Sequence, residues 1–207
     1  MNNEKLKELL QAKKRDHKIV ITDEAINKVP RIEYKEIAEE QYDILQLLLQ
    51  ETMTISQRDN NSDEVAITYS LDANIDNDDR NMVYGVSLGD EHSVDPLEDV
   101  TSYHIINGTA ECVVVILHNH PSLSKLSLQD IQYLLMYHSL KMIVAVTNLG
   151  SVFYLVKTNK YDYHRAMQLY KQAYKMFDEA NNLADYQKAT DYFLNNCSTV
   201  GLIHEDR

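Results

Sequence analysis

Cysteine is nearly missing from the 207-residue chain: Cys112 and Cys197 fall in different predicted elements, with no Cys-x-x-Cys spacing. That excludes a disulfide framework and a thiolate metal site, leaving two buried or incidental thiols. Long apolar runs are missing too. None approaches the roughly 18 residues of a membrane span, and the opening MNNEKLKELL interleaves charges where a secretory leader needs an unbroken apolar core. The expectation is a cytoplasmic protein with no membrane segment. Positive charge is scarce, since 20 Lys and Arg against 32 Asp and Glu leave a net charge of −12. Such a balance repels phosphate backbones, so nucleic acid is not an expected partner. The one basic cluster, Lys13, Lys14, Arg15 and Lys18, follows a short amphipathic stretch and reads as cations complementing a helix C-terminus. No segment recurs at a fixed period, which excludes a repeat array.

What the chain does have is the composition of a folded protein, 44% hydrophobic and 25% charged, with length enough for one core and an appendage. Apolar positions Ile37, Tyr42, Leu45, Leu48 and Leu49 predict an amphipathic helix over 33–53. After the polar loop QRDNNSD, the run EVAITYSL predicts a strand over 64–71, an acidic turn follows over 72–81, and a second strand is expected over 82–88. Asp95-Pro96 should start a helix that ends near Asn107-Gly108, with Asp as N-cap and Pro in the first turn. The nearly unbroken apolar run 112–117 reads as a strand covered on both faces. A helix over 127–138 and a hairpin of strands 141–147 and 151–156 complete an α/β fold, a mixed β-sheet sandwiched between helices. Tyr163, Ala166, Tyr170, Ala173, Tyr174 and Phe177 recur at helical spacing, followed by a shorter helix over 184–194, and the stripe reads as core or docking surface.

The most chemically specific segment is ECVVVILHNHPSLSKLSLQD, 111–130. Alternate strand residues share a face, so His118 and His120 aim both imidazoles at one point. Ser127-x-x-Asp130 can cap a helix and bring a carboxylate to the same place. The result would be a two-His, one-carboxylate set with a position left for water, the pattern of a catalytic rather than a structural metal site. The letters HNH do not spell the nuclease of that name, whose residues are dispersed. A nucleotidyl-transferring histidine triad needs a third alternating His where Ser122 stands. A zinc deaminase needs His-x-Glu and a Cys-x-x-Cys helix, and both are absent.

With these residues in place the chain resembles the JAMM (JAB/MPN-type) metalloprotease family, most closely its RadC-like branch, whose HNHPS appears as His118-Asn119-His120-Pro121-Ser122. The resemblance covers 64–157 and implies a cytidine-deaminase-like architecture, with 57–157 as the metalloprotease domain between helical extensions 1–56 and 158–207. It further implies Zn2+ on His118, His120 and Asp130, Glu64 as general base toward a metal-bound water, and Ser127 steadying the tetrahedral intermediate. The implied activity is hydrolysis of a peptide or isopeptide bond in a protein substrate, including removal of a ubiquitin-like modifier bound by its extended tail. The chain departs from the pattern in a His-to-Ser interval of six residues rather than seven, in Leu123 for the usual Gly, and in lacking the DH strand after the helix. The shorter interval leaves Ser124 as an alternative to Ser127. Glu111 is a second candidate base ahead of the buried strand, whereas His104 and His138 read as ordinary helix residues. The competing expectation is a catalytically inactive binding or scaffold module in a DNA-linked or mobile-element process. The C-terminal helices could serve an oligomer or a partner.

Overall fold

The computed structural model describes residues 18–72, 83–180 and 182–207. Among these, β1 (Val65–Ser70), β2 (Tyr84–Leu88), β3 (Val114–His120), β4 (Leu140–Thr147), β5 (Val152–Lys157) and β6 (Leu202–Asp206) make one sheet in the order β2-β1-β3-β4-β5-β6. The central pair β3 and β4 is parallel, and the other neighbours run antiparallel. The helices are α1 (Asp23–Asn27), α2 (Tyr42–Asp59), α3 (Val100–Gly108), α4 (Leu128–Met136), α5 (Tyr163–Glu179) and α6 (Leu183–Asn196). None of the described helices is long and apolar enough to cross a membrane.

The sheet is covered on both faces because alternate strand residues feed two separate cores. Val65, Ile67, Val115, Leu117, Val144 and Val146 pack with Leu45, Leu49 and Met53 of α2 on one side. Ala66, Val114, Ile116 and Ile143 pack with Leu134 of α4, Tyr170 of α5 and Phe193 of α6 on the other. All seven residues of β3 are buried, which is why its sequence is apolar without alternation. The expected α/β sheet between helices is what the chain forms. The tyrosine stripe serves as core, with Tyr170 against Phe193 at 6.4 Å and Phe177 against Tyr186 at 4.9 Å between ring centroids.

Several elements differ from expectation, each for a local reason. The helix expected over 33–53 begins only at Tyr42 and continues to Asp59, because Glu36 adopts a left-handed φ of 61° that a helix does not tolerate. The irregular stretch before α2 buries Tyr34 against Tyr154, centroids 5.1 Å apart. Asp95 and Pro96 start only a 3-10 turn, Pro96–Glu98. Helix α3 has its own cap, Asp99, whose carboxylate accepts from the Ser102 amide at 2.7 Å. Strand β3 starts two residues late, since Cys112 has φ 58°, and runs three residues further because its pairing with β4 extends to His120 opposite Thr147. Strand β6 was not expected from its charged sequence, and its backbone pairing with β5 defines it. The segments assigned to terminal extensions therefore supply the whole α2 layer and the last strand of the sheet. Lys13, Lys14 and Arg15, and the acidic turn from residue 73, lie outside the described residues. Lys18 pairs with Asp63 at 2.6 Å.

Candidate metal centre

The carboxyl end of β3 and the first turn of α4 meet at one point. In an open α/β sheet the ends of parallel strands are where crossover helices leave space for a ligand. Alternation along β3 places Ile116, His118 and His120 on the α4 side, where they line one cavity with Asp130. Ser127 is the N-cap of α4, and its capping box is complete. Its Oγ accepts from the Asp130 amide at 3.2 Å, and its own amide donates to Asp130 Oδ2 at 2.6 Å. One carboxylate oxygen is thus held by the helix end, while Oδ1 lies 3.2 Å from His118 Nε2.

His118 Nε2 and His120 Nε2 are 2.9 Å apart, and His120 Nε2 is 3.6 Å from Asp130 Oδ2. Ligands of a tetrahedral zinc at its usual bond lengths stand about 3.3 Å from one another. The separations of His118 Nε2 from His120 Nε2 and from Asp130 Oδ1 fall just under that edge, and the 3.6 Å contact of His120 is to the other carboxylate oxygen, so the group could hold an ion of this size once one oxygen serves both histidines. Among the described residues this His118, His120 and Asp130 trio is the group able to hold a metal ion. The outer nitrogen of His120, Nδ1, faces the Ser124 carbonyl at 2.8 Å, which fixes the tautomer that leaves Nε2 free for a ligand bond. His118 Nδ1 is buried without a hydrogen-bond partner.

The electrostatics follow from burial of opposite charges. Burial opposes protonation of His118, yet Asp130 and, more weakly, Glu64 outweigh it and raise its pKa above the ordinary value. Burial likewise opposes ionisation of Asp130, but His118, His120 and the Ser127 backbone hold it well below the carboxylate range. His118 and Asp130 therefore favour the imidazolium–carboxylate pair, and a metal ion bound there would displace the His118 proton.

Glu64 precedes β1, is 7% exposed, and lines the same cavity as His118, His120, Asp130 and Ser127. The cavity measures about 40 Å³, room for an ion with a water or two. Of the alternatives, Glu111 is an exposed residue at the opposite end of β3, and Ser124 serves through its carbonyl behind His120. His104 and His138 are exposed. The shortened 121–126 loop is pinned at both ends. Pro121 accepts from the Ile19 amide at 2.8 Å, and Lys125 pairs with Asp206 at 2.6 Å. Sequence reasoning missed His92, Gln129 and Tyr133 in the cavity wall. Tyr133 was within reach, since it stands three residues after Asp130 on the same helix face. His92 sits in an irregular acidic loop and carries no periodic signal.

Comparison with protein-family models, with curated proteins and with solved structures returns no match. The fold and site by themselves define a mixed α/β protein with a buried two-His, one-Asp group able to hold a metal ion.

Proposed function

We propose that the chain is a cytoplasmic zinc-dependent hydrolase of peptide or isopeptide bonds, of the RadC-like JAB/MPN (JAMM) class. The observation that carries this reading is the convergence of His118, His120 and Asp130 at ligand spacing, with Glu64 and Ser127 on the wall of the same cavity. A bound zinc would supply Lewis acidity and lower the pKa of its water from about 15.7 to about 7. Glu64 takes the proton of the attacking water and returns it to the leaving amine, as a general base and then acid. Ser127 Oγ accepts from the Asp130 amide, so its own proton remains to be donated to the developing oxyanion, a contact worth roughly 3 kcal/mol. The apolar floor of Ala66, Ile116 and Ile143 keeps bulk water from weakening these contacts.

Asp95, which accepts from the cavity-lining Tyr133 hydroxyl at 3.4 Å, and Asp90 and Glu91, which precede the lining residues His92–Val94 in the chain, favour a substrate segment of opposite charge, as a protein or peptide tail could present. The decisive experiment is elemental analysis of purified wild-type protein beside His118→Ala/His120→Ala, followed by an isopeptide-cleavage screen with Glu64→Gln as control. About one zinc per chain, lost in the double variant, and turnover lost in Glu64→Gln are the expected results. A wild type that takes up no zinc at neutral pH would replace this reading with that of a binding module.

A further inference from the structure

Between the two metal-ligand histidines stands a residue that faces the other way. Asn119 is fully buried on the α2 side of β3, and its amide group reaches four partners. Its Oδ1 accepts from the Val65 amide at 2.8 Å. Its Nδ2 donates toward Asn148 Oδ1 at 2.9 Å, Ser56 Oγ at 3.1 Å and the Asp63 carbonyl at 3.1 Å. Asn148 extends the cluster by donating to the carbonyls of Ile19 at 2.7 Å and Ser62 at 3.0 Å, and its amide donates to the His120 carbonyl at 3.0 Å.

The position of this cluster along the β1–β3 ladder gives it a specific consequence. The main-chain register ends at Ala66 opposite His118. One residue beyond, the Val65 amide turns to the Asn119 side chain instead of the β3 backbone. A side-chain amide thus replaces the next rung and ties residues 63–65 to the strand between the two ligands. The turn that delivers these residues is conformationally unfavourable, with Asn61 at φ 50° and Ser62 at φ 61°, a region that serine seldom adopts. Such a turn persists only where surrounding contacts hold it. Glu64 lies in the middle of the tied segment, and its side chain shares with Ala66 the face that lines the cavity.

We propose that Asn119, backed by Asn148, is a positioning residue that sets the reach of the Glu64 carboxylate to the metal centre. This rests on Glu64 being the base in the reading above. The amide is suited to the task because it donates and accepts at once without titrating. It connects the ligand strand and the segment of the base through two bonds, from the Val65 amide at 2.8 Å and to the Asp63 carbonyl at 3.1 Å, and a misplacement of about 1 Å at a reacting group can cost a hundredfold in rate.

The test uses the full chain loaded with Co2+, with Glu64 labelled by 13C, and compares the wild type with Asn119→Ser. In the variant the paramagnetic shift of the Glu64 carboxyl carbon should fall, while the shifts of the His118 and His120 rings and the Co2+ affinity stay within about threefold of wild type. On a substrate cleaved by the wild type, kcat should drop roughly ten- to a hundredfold with KM little changed. The same substitution in a Glu64→Gln background should change kcat less than about twofold, which a general loss of structure would not reproduce. If Asn119→Ser does not fold, Ser56→Ala removes one acceptor of the Asn119 amide from α2 and should show a smaller displacement in the same direction. An unmoved Glu64 signal in the folded variant, or an equal kcat loss in the Glu64→Gln background, overturns the assignment to Asn119 and leaves the hydrolase reading intact. A wild type that binds no Co2+ overturns both.

Discussion

Asp130 holds the Ser127 amide with one carboxylate oxygen, at 2.6 Å, and presents the other to His118 Nε2 at 3.2 Å. One residue is therefore both the N3 position of a helix cap and a member of the group that could hold a metal ion. The two duties are separable by substitution.

Asp130→Asn retains an acceptor for the Ser127 amide, so the helix end survives, but it loses the anionic ligand. Zinc affinity should fall by a factor of about ten to a hundred or more, with stability of the metal-free protein at pH 9 changing by less than about 1 kcal/mol. Ser127→Ala does the reverse: a loss of about 1 kcal/mol from the cap with zinc retained. Chelator competition and urea denaturation on the two variants separate these effects, and a joint loss in both would refute the division of labour.

The His118–Asp130 pair makes stability depend on pH with a definite sign. His118 has a folded pKa above its ordinary 6.5, so its contribution is complete below that value and is lost as pH rises through the folded pKa. Asp130 is lowered from 3.8, so its contribution is complete above that value and is lost as pH falls through the folded pKa. The metal-free protein gains most from the pair between pH 3.8 and 6.5. His118→Ala should therefore cost more stability at pH 5.5 than at pH 9 when a chelator is present. Zinc should act in the opposite sense, stabilising more as pH rises, because it must displace the His118 proton.

Lys157 is 1% exposed at the end of β5, donates to the Tyr137 carbonyl at 3.0 Å and stands over the Tyr161 ring at 5.0 Å. Burial lowers its pKa from 10.5 to about 8. The unfolded chain binds this proton more tightly, so the group contributes a rise in stability with pH between about 8 and 10.5. Lys157→Met should remove that rise. Denaturation curves at pH 7.5 and pH 9.5 test it, and an unchanged slope in the variant would mean that the ammonium is not desolvated.

Leu49 is fully buried in the core that α2 forms against β1 and β3. Leu49→Ala should cost about 2–5 kcal/mol, a loss typical of a central core rather than of an appended helix. A cost below about 1 kcal/mol in thermal or urea unfolding would show that α2 is dispensable to the fold.

The sequence by itself determined the elements whose signals are local. The apolar run of β3, the alternation of the β4–β5 hairpin and the Ser127–Asp130 cap all lie within a few residues of the structure they form, and their period or spacing carries the geometry. It also determined which side chains could ligate a metal, since His118 and His120 share a face by strand alternation alone. Tertiary structure decided the remainder. The start of α2 depends on a left-handed Glu36 and on Tyr34 finding a place against Tyr154, and β6 exists because β5 offers it a partner, not because its charged residues favour a strand. The convergence of Glu64, Asp130 and the two histidines is likewise non-local. It requires β1, β3 and α4 to be packed in one register, with the Asn119 side chain, pointing away from the site, fixing where β1 begins. Contacts between residues 54 positions apart, such as Val65 with Asn119, depend on packing of the whole chain, and no window of sequence contains them.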